Sequence, residues 1–369
     1  MPGDLKAKAA ANVALMEERA AEPLLDFNEF VLADSSADME ARMLADRYVL
    51  GRLAILGQAT VFYGGPNVGK TLLILWLLIQ QIEAGEIDPA DVYYINADDT
   101  FKGLVEKKKL AEQYGFNMLV PGMFGFKAPM LPVILRNRAR QGTANACIVI
   151  LDTLKKFTDL MSKKVGSEFG EVSREFIANG GTLISLAHVN KYKNDDGESI
   201  HAGTTDIIDD ADCAYIMDLV EDNGTLRTVK FRNVKDRGDV MQSATYGYQS
   251  KHDDHPLPYI DLFDSVREIT AREAREAEKR AAIADKLAIN HELILDIQAC
   301  IRDGFTLRTQ LVKEAQNRSG ESARKIKNVL KTHTGTNLLD GARWNCTVGD
   351  KNAHQYSLLI GGGAGKLEN

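Results

Sequence analysis

The chain has no Cys-x-x-Cys pair. Its four cysteines, Cys147, Cys213, Cys300 and Cys346, are scattered through 369 residues. That pattern excludes a disulfide scaffold and a zinc ribbon, and points to free thiols in a reducing cytoplasm. A signal peptide is not expected either, because Met1 to Ala21 alternates charge with alanine and has no continuous apolar stretch. The longest apolar run, Leu72 to Ile79, is under about half a membrane span, so no membrane partner is expected. An excess of positive charge is also missing. Lys and Arg total 45 against 52 Asp and Glu, a net charge of −7. This argues against a protein coated in basic surface, yet leaves room for a local basic patch or a positively lined pore. At 44% hydrophobic and 26% charged residues, the chain has an ordinary globular composition, long enough for two or three domains.

Against that background one segment carries chemistry. Gly64-Gly65-Pro66-Asn67-Val68-Gly69-Lys70-Thr71 fits the pattern of Gly, four residues, then Gly-Lys-Ser/Thr. Ala59 to Tyr63 reads as a buried strand leading in, and Leu72 to Ile82 as an apolar helix leading out. The glycines let the backbone curl so that successive N–H groups point at one phosphate. The helix presents its positive end to the same anion. Gly64 through Leu72 are therefore candidate nucleotide-binding residues, with Lys70 directed at the β- and γ-phosphates and Thr71 a ligand for Mg²⁺. ATP and Mg²⁺ are the implied cofactors.

Hydrolysis needs further parts, and later strands offer them. Cys147 to Leu151 is an apolar strand ending in Asp152, a second metal-shell acid. Val92 to Asn96 leads to Asp98 and Asp99, at a strand end of the kind that lines a ligand crevice. Asp98 is the preferred carboxylate for holding water, and Asp99 or Thr100 caps the helix Thr100–Tyr114. Leu183 to Ala187 ends in His188, placed to sense the γ-phosphate. Lys235 and Arg237 are two residues apart in a cation-dense segment. In an extended chain they share one face and can reach a phosphate held by an adjacent subunit.

Strands are expected at Ala59–Tyr63, Val92–Asn96, Ala146–Leu151, Thr182–Ala187, Ala214–Asp218 and Thr228–Phe231, alternating with helices as a mostly parallel α/β sheet requires. Residues 1–48 read as an N-terminal helix and arm, 49–245 as the core, 246–289 as a linker with a charged helix, and 361–369 as a flexible tail. Residues 290–360 read as a small separate domain: helices at Glu292–Arg302, Leu307–Gln316 and Glu321–Lys331, then strands Arg343–Thr347 and Gln355–Leu359. Three helices and a hairpin is the layout of a winged helix. This segment holds ten basic and seven acidic side chains, about +3 in a chain of −7.

The series Gly-Gly-Pro-Asn-Val-Gly-Lys-Thr, Asn-Ala-Asp-Asp, Leu-Asp-Thr-Leu-Lys-Lys-Phe, Ala-His-Val-Asn-Lys and Lys-Asp-Arg-Gly resembles the RecA-like hexameric ATPases. It is most similar to the RepA-type replicative helicases of plasmids and phages, over roughly residues 45–245. The resemblance implies a RecA-like phosphate-loop core followed by a winged-helix-like domain. It also implies assembly as a homo-oligomeric ring, a hexamer, with ATP at subunit interfaces. Asp152 becomes the Walker B acid, His188 the sensor, and Arg237 with Lys235 the trans-acting finger. Asp98 stands where the family usually has a catalytic Glu. The loops after Lys156 and His188 would face a central channel, where Lys155, Lys156, Lys163, Lys164, Lys191 and Lys193 would track single-stranded DNA. The acidic loop 194–198 departs from that pattern. The function implied is a DNA-stimulated ATP-hydrolysing motor, a replicative DNA helicase. Two alternatives stay open. One is a helicase-loading or recombination-mediator ATPase that binds other replication proteins. The other is a nucleotide-gated replication initiator that binds duplex DNA through the C-terminal domain, with Asn328 able to read adenine.

Overall fold

The computed structural model describes residues 47–157, 163–193, 199–201, 210–252 and 255–359, with a few isolated positions before residue 47. The N-terminal helix, nearly all of the arm before residue 47, the acidic loop 194–198 and the tail 361–369 lie outside the described residues. So do the side chains of Lys163, Lys164, Lys191 and Lys193.

The chain forms β1 (Ala59–Gly64), α1 (Lys70–Glu83), β2 (Val92–Asn96), α2 (Phe101–Tyr114) and β3 (Asn117–Leu119). Then come α3 (Leu131–Arg140), β4 (Ile148–Asp152), α4 (Lys163–Ala178), β5 (Thr182–Lys193) and β6 (Ser199–His201). A long hairpin of β7 (Cys213–Asp222) and β8 (Leu226–Lys235) leads to β9 (Ser243–Gln249). Two short strands, β10 (Lys251–His252) and β11 (His255–Pro256), precede α5 (Tyr259–Asp264) and β12 (Arg267–Glu268). One large sheet runs β12-β9-β8-β7-β1-β5-β4-β2-β3, with β6 paired to β5. The pairs from β7 through β1, β5, β4 and β2 to β3 are parallel; β8, β9 and β12 extend the sheet antiparallel. The fold is therefore α/β, with a large, mostly parallel central sheet.

A parallel sheet covered on both faces needs strands that are apolar at every position. β4 shows why. Ile148 and Ile150 join the cluster containing α1, whereas Val149 and Leu151 join the cluster beneath α3 and α4. Phe62 on β1 stacks on Tyr215 at 5.4 Å between ring centroids and meets Phe231 edge-on at 5.8 Å, tying parallel and antiparallel halves together.

β2 has the bounds the sequence pattern predicts, β4 starts two residues later and ends one later, and β5, β7 and β8 are longer than predicted. β5, β7 and β8 continue into polar residues past the apolar stretch, because hydrogen bonding to a neighbouring strand does not require burial. The sheet also runs past residue 245. Tyr246 and Tyr248 of β9, Phe263 of α5 and Val266 all belong to the main core, in a region whose Pro, Asp and His content reads as a connection.

The charged helix α6 (Ala271–Ile289) opens with a capping box between Thr270 and Glu273. Its Arg280 grips Glu221 of β7 through two bonds of 2.6 and 2.7 Å, and Glu278 accepts from Lys230 of β8 at 2.7 Å. It then leads to α7 (His291–Arg302), α8 (Arg308–Ser319), α9 (Ala323–Thr332) and the hairpin β13 (Trp344–Val348) with β14 (His354–Leu358). These elements have their own apolar cluster, centred on Ile297, Leu311, Ile326 and Trp344. The Trp344 indole N–H donates to the Leu330 carbonyl at 2.9 Å. Among the described residues no helix is long and apolar enough to cross a membrane.

Phe62→Ala removes the ring shared by the two halves of the sheet and is expected to cost about 3–5 kcal/mol in urea unfolding. A loss below about 1 kcal/mol would mean that the aromatic contact does not join them.

Candidate active site

Strand register places the site. Gly64 pairs with His188, Asp152 with Leu186, and Asn96 with Asp152. The ends of β1, β4 and β2 therefore line one edge of the sheet, the carboxyl edge where open α/β sheets bind ligands; His188 is level with them but is not a strand tip, because β5 continues to Lys193. That single edge gathers Lys70, Thr71, Asp152, Asp98 and His188 from four separate segments.

The loop after β1 turns through Asn67 at φ 59° and Gly69 at φ 90°. Gly69 caps α1 without a side-chain hydrogen bond, so the first-turn N–H groups remain available to an anion. Both bounding glycines are required by space. A Cβ on Gly64 would lie 2.8 Å from Val68 Cγ1, and one on Gly69 would lie 2.7 Å from the Tyr248 hydroxyl. Pro66 and Asn67 are exposed, while Val68 and Leu72 turn their side chains into the core. Those two residues can offer an anion only their backbone.

Lys70 is buried and donates to the carbonyls of Gly64 at 2.9 Å and Gly65 at 2.8 Å. Burial pushes its pKa down to about 8; the charges of Asp152 and Asp98 oppose that shift, and Lys155 adds to it. The Thr71 hydroxyl donates to Asp152 Oδ2 at 2.6 Å, across 81 residues of sequence. The Tyr94 hydroxyl donates to the same oxygen at 2.7 Å. Burial raises the Asp152 carboxyl above its ordinary range, while the bonds from Thr71 and Tyr94 pull it back. His188 is half-buried. Burial lowers its pKa, and Lys70 and Lys155 lower it further.

Asp98 and Asp99 have different surroundings. Asn96 Oδ1 accepts from the backbone N–H groups of both, at 3.3 and 3.2 Å, which fixes the turn after β2. The Asp99 carboxylate is held by Asn96 Nδ2 at 2.5 Å and by the buried Lys107 ammonium. Asp98 keeps a more open carboxylate, 3.7 Å from Lys156 Nζ. Of the two, Asp98 has the less engaged carboxylate.

Lys235 and Arg237 lie at the opposite edge of the sheet. Lys235 pairs with Ala214 near the start of β7. Arg237 contacts Asp212 Oδ1 at 3.4 Å, and the other oxygen of Asp212 accepts from Ala59 N–H at the start of β1. That edge is one strand length, roughly 17 Å, from the loop, so neither cation reaches the loop of its own chain. Several residues at the loop edge carry no sequence motif. Arg227 Nη1 on β8 donates to the Asn67 carbonyl at 3.2 Å, and its strand partner Tyr248 on β9 abuts Gly69. Tyr94, Asn96 and Lys107 complete the acid network. Asn96 had a readable signal, as an Asn two residues before an acid at a strand end. Arg227 and Tyr248 arrive from antiparallel strands whose pairing no local pattern reveals.

The donor set fits Mg²⁺, a hard ion that takes oxygen ligands and keeps several waters. A hydroxyl and a carboxylate stand 2.6 Å apart beside the loop. Among the described residues no group of three or more His, Cys, Asp or Glu side chains could hold a metal ion alone. Phosphate and water would have to supply the rest, as is usual for Mg²⁺. No protein-family model matches this chain, and no curated protein matches it.

Gly69→Ala combines a left-handed φ with a contact to Tyr248 and is expected to destabilise the chain by about 1–3 kcal/mol in urea. An unchanged unfolding midpoint would show that the loop and β9 yield freely.

Proposed function

We propose that this chain is a ring-forming ATPase with a RecA-like phosphate-loop core and a winged-helix-like C-terminal domain, acting on single-stranded DNA as a replicative helicase. The observation that carries this reading is the 2.6 Å bond between Thr71 and Asp152 beside the loop that holds Lys70. In this reading Lys70 leaves its two carbonyls to meet the β- and γ-phosphates, and the α1 N–H groups hold the same anion. Mg²⁺, held by Thr71 and Asp152, would neutralise charge on the phosphates. Asp98 orients the attacking water, and neutral His188 reports the γ-phosphate to the strand that follows it.

The position of Arg237 supports a ring. It is half-exposed and lies at the edge of the sheet away from its own loop, which suits a cation that serves a neighbour's phosphate. Lys155 and Lys156, both exposed beside the acid strand, would contribute to a DNA channel. A helicase-loading or recombination-mediator ATPase is the alternative. It is favoured by the Lys156–Asp98 pair, which competes with water for the short carboxylate and would slow turnover.

ATP hydrolysis with and without single-stranded DNA tests the proposal. Wild type should turn over several-fold faster with DNA, while Lys70→Ala and Arg237→Ala are each inactive. Loss of a finger costs about 10³–10⁵ in rate. Mixing the two variants should restore part of the activity, because some interfaces then combine an intact Lys70 with an intact Arg237. Wild-type turnover in Arg237→Ala would sink the trans-acting role. Slow, DNA-independent turnover would favour the loader.

Lys70 also sets a pH dependence. Its folded pKa of about 8 lies below the ordinary 10.5, and a bound phosphate favours the charged form. Nucleotide affinity should therefore be full below about pH 8 and fall as pH rises through it, by up to roughly tenfold per unit. The ligand-free chain has the opposite trend. The penalty for burying the charged amine is present below pH 8 and is relieved between about 8 and 10.5, so this group favours folding as pH rises. Calorimetric titration of a non-hydrolysable ATP analogue from pH 7 to 9.5 checks the affinity change; a flat profile contradicts it.

A further inference from the structure

Away from the loop edge, a cleft of about 980 Å³ opens between α9 and the β13–β14 hairpin. We propose that this cleft is a binding site for duplex DNA, with α9 entering the major groove. The site is independent of the nucleotide chemistry.

The sequence of α9 divides it into two faces. Ile326, Val329 and Leu330 are buried against Trp344 and hold the helix to its domain. Arg324, Lys327, Asn328 and Lys331 are exposed. They follow the i, i+3, i+4, i+7 spacing that aligns side chains on one helix face. All four line the cleft, joined by Arg308 from the start of α8. No acidic side chain is on the lining. Among the described residues, no carboxylate pairs with Arg308, Arg324, Lys327 or Lys331, whereas Lys325 is already engaged by Glu321. Unpaired cations on a scaffold that is otherwise net acidic form a footprint for phosphate.

Dimensions and chemistry select duplex over single strand. An α-helix with its side chains is about 10–12 Å across, and the major groove of B-DNA is about 12 Å wide. Asn328 carries the paired donor and acceptor that match an adenine edge. Single-strand sites use exposed aromatic platforms. The only Phe, Tyr or Trp on the lining is Tyr356, which is buried.

The cleft also contains a reporter. Cys346 lines it with its sulfur 3.5 Å from His354 Nδ1, whereas Cys147, Cys213 and Cys300 are buried. A bound duplex should shield the Cys346 thiol from alkylation.

The test uses the full chain without nucleotide and a labelled duplex of about twenty base pairs, roughly two helical turns. Fluorescence anisotropy should show binding that weakens steeply with salt. The double variant Lys327→Glu/Lys331→Glu should lose tenfold or more in duplex affinity with a shallower salt slope, while its circular dichroism and its binding of single strands stay unchanged. The milder Lys327→Ala/Lys331→Ala pair should lose affinity in the same direction. Iodoacetamide should modify Cys346 several-fold more slowly when duplex is present. Absence of duplex binding by wild type, equal duplex affinity in the folded charge-reversed variant, or binding of polyglutamate but not duplex in the cleft would overturn the proposal.

Discussion

The in-register parallel pairing of β1, β5, β4 and β2 is the constraint on which the rest of the structure depends. A glycine loop, an acid, a second acid and a histidine are distributed over more than a hundred residues of chain. They meet because the loop and the two acids follow or end strands that stop at one edge of the sheet, and His188 of the longer β5 is in register with that edge. A shift of one residue in β4 against β5 would turn Asp152 toward the other face and break its 2.6 Å contact with Thr71. The register is held by apolar residues at nearly every position of those strands, since both faces are covered. Core packing and site assembly are thus consequences of the same sequence feature.

Burial at that edge acts on two opposite charges. Lys70 and Asp152 are both largely removed from water, which lowers the pKa of one and raises that of the other. Each then depends on nearby polar groups: Lys70 on two carbonyls, Asp152 on the hydroxyls of Thr71 and Tyr94. In the proposed function, a polyphosphate with a divalent cation would satisfy both groups at once. The C-terminal cleft has a different electrostatic character. Its cations are exposed and solvated, suited to long-range attraction of a polyanion rather than to holding one phosphate.

Much of this site was legible in the sequence because its parts are local. Gly64 to Thr71 is a contiguous pattern, and the apolar run ending in Asp152 marks a strand tip, whereas the run ending in His188 does not, since β5 continues to Lys193. The helices and hairpin after residue 290 were legible for the same reason, as the apolar period changes from helical to alternating. What could not be read depends on pairing between distant segments. Arg227 and Tyr248 look like ordinary strand residues until β8 and β9 fold back beside β7. Likewise α5 is six residues in a Pro- and Asp-rich stretch, and only the packing of its Tyr259, Leu262 and Phe263 on the core makes it part of the sheet domain. The placement of Arg237 away from the loop was equally invisible, because two cations in an extended segment specify a face but not an edge.

The central claim is that Thr71 and Asp152 form one metal-dependent phosphate site with Lys70. Calorimetric titration of ADP with and without Mg²⁺, for wild type beside Asp152→Asn, tests it most directly. The amide keeps the size of the side chain and can still accept from Thr71, but it lacks the charge that draws the ion. The account predicts that Mg²⁺ tightens ADP binding to wild type by tenfold or more and leaves the variant's weaker binding nearly unchanged. Equal Mg²⁺ enhancement in both proteins, or ADP binding to neither, would contradict it.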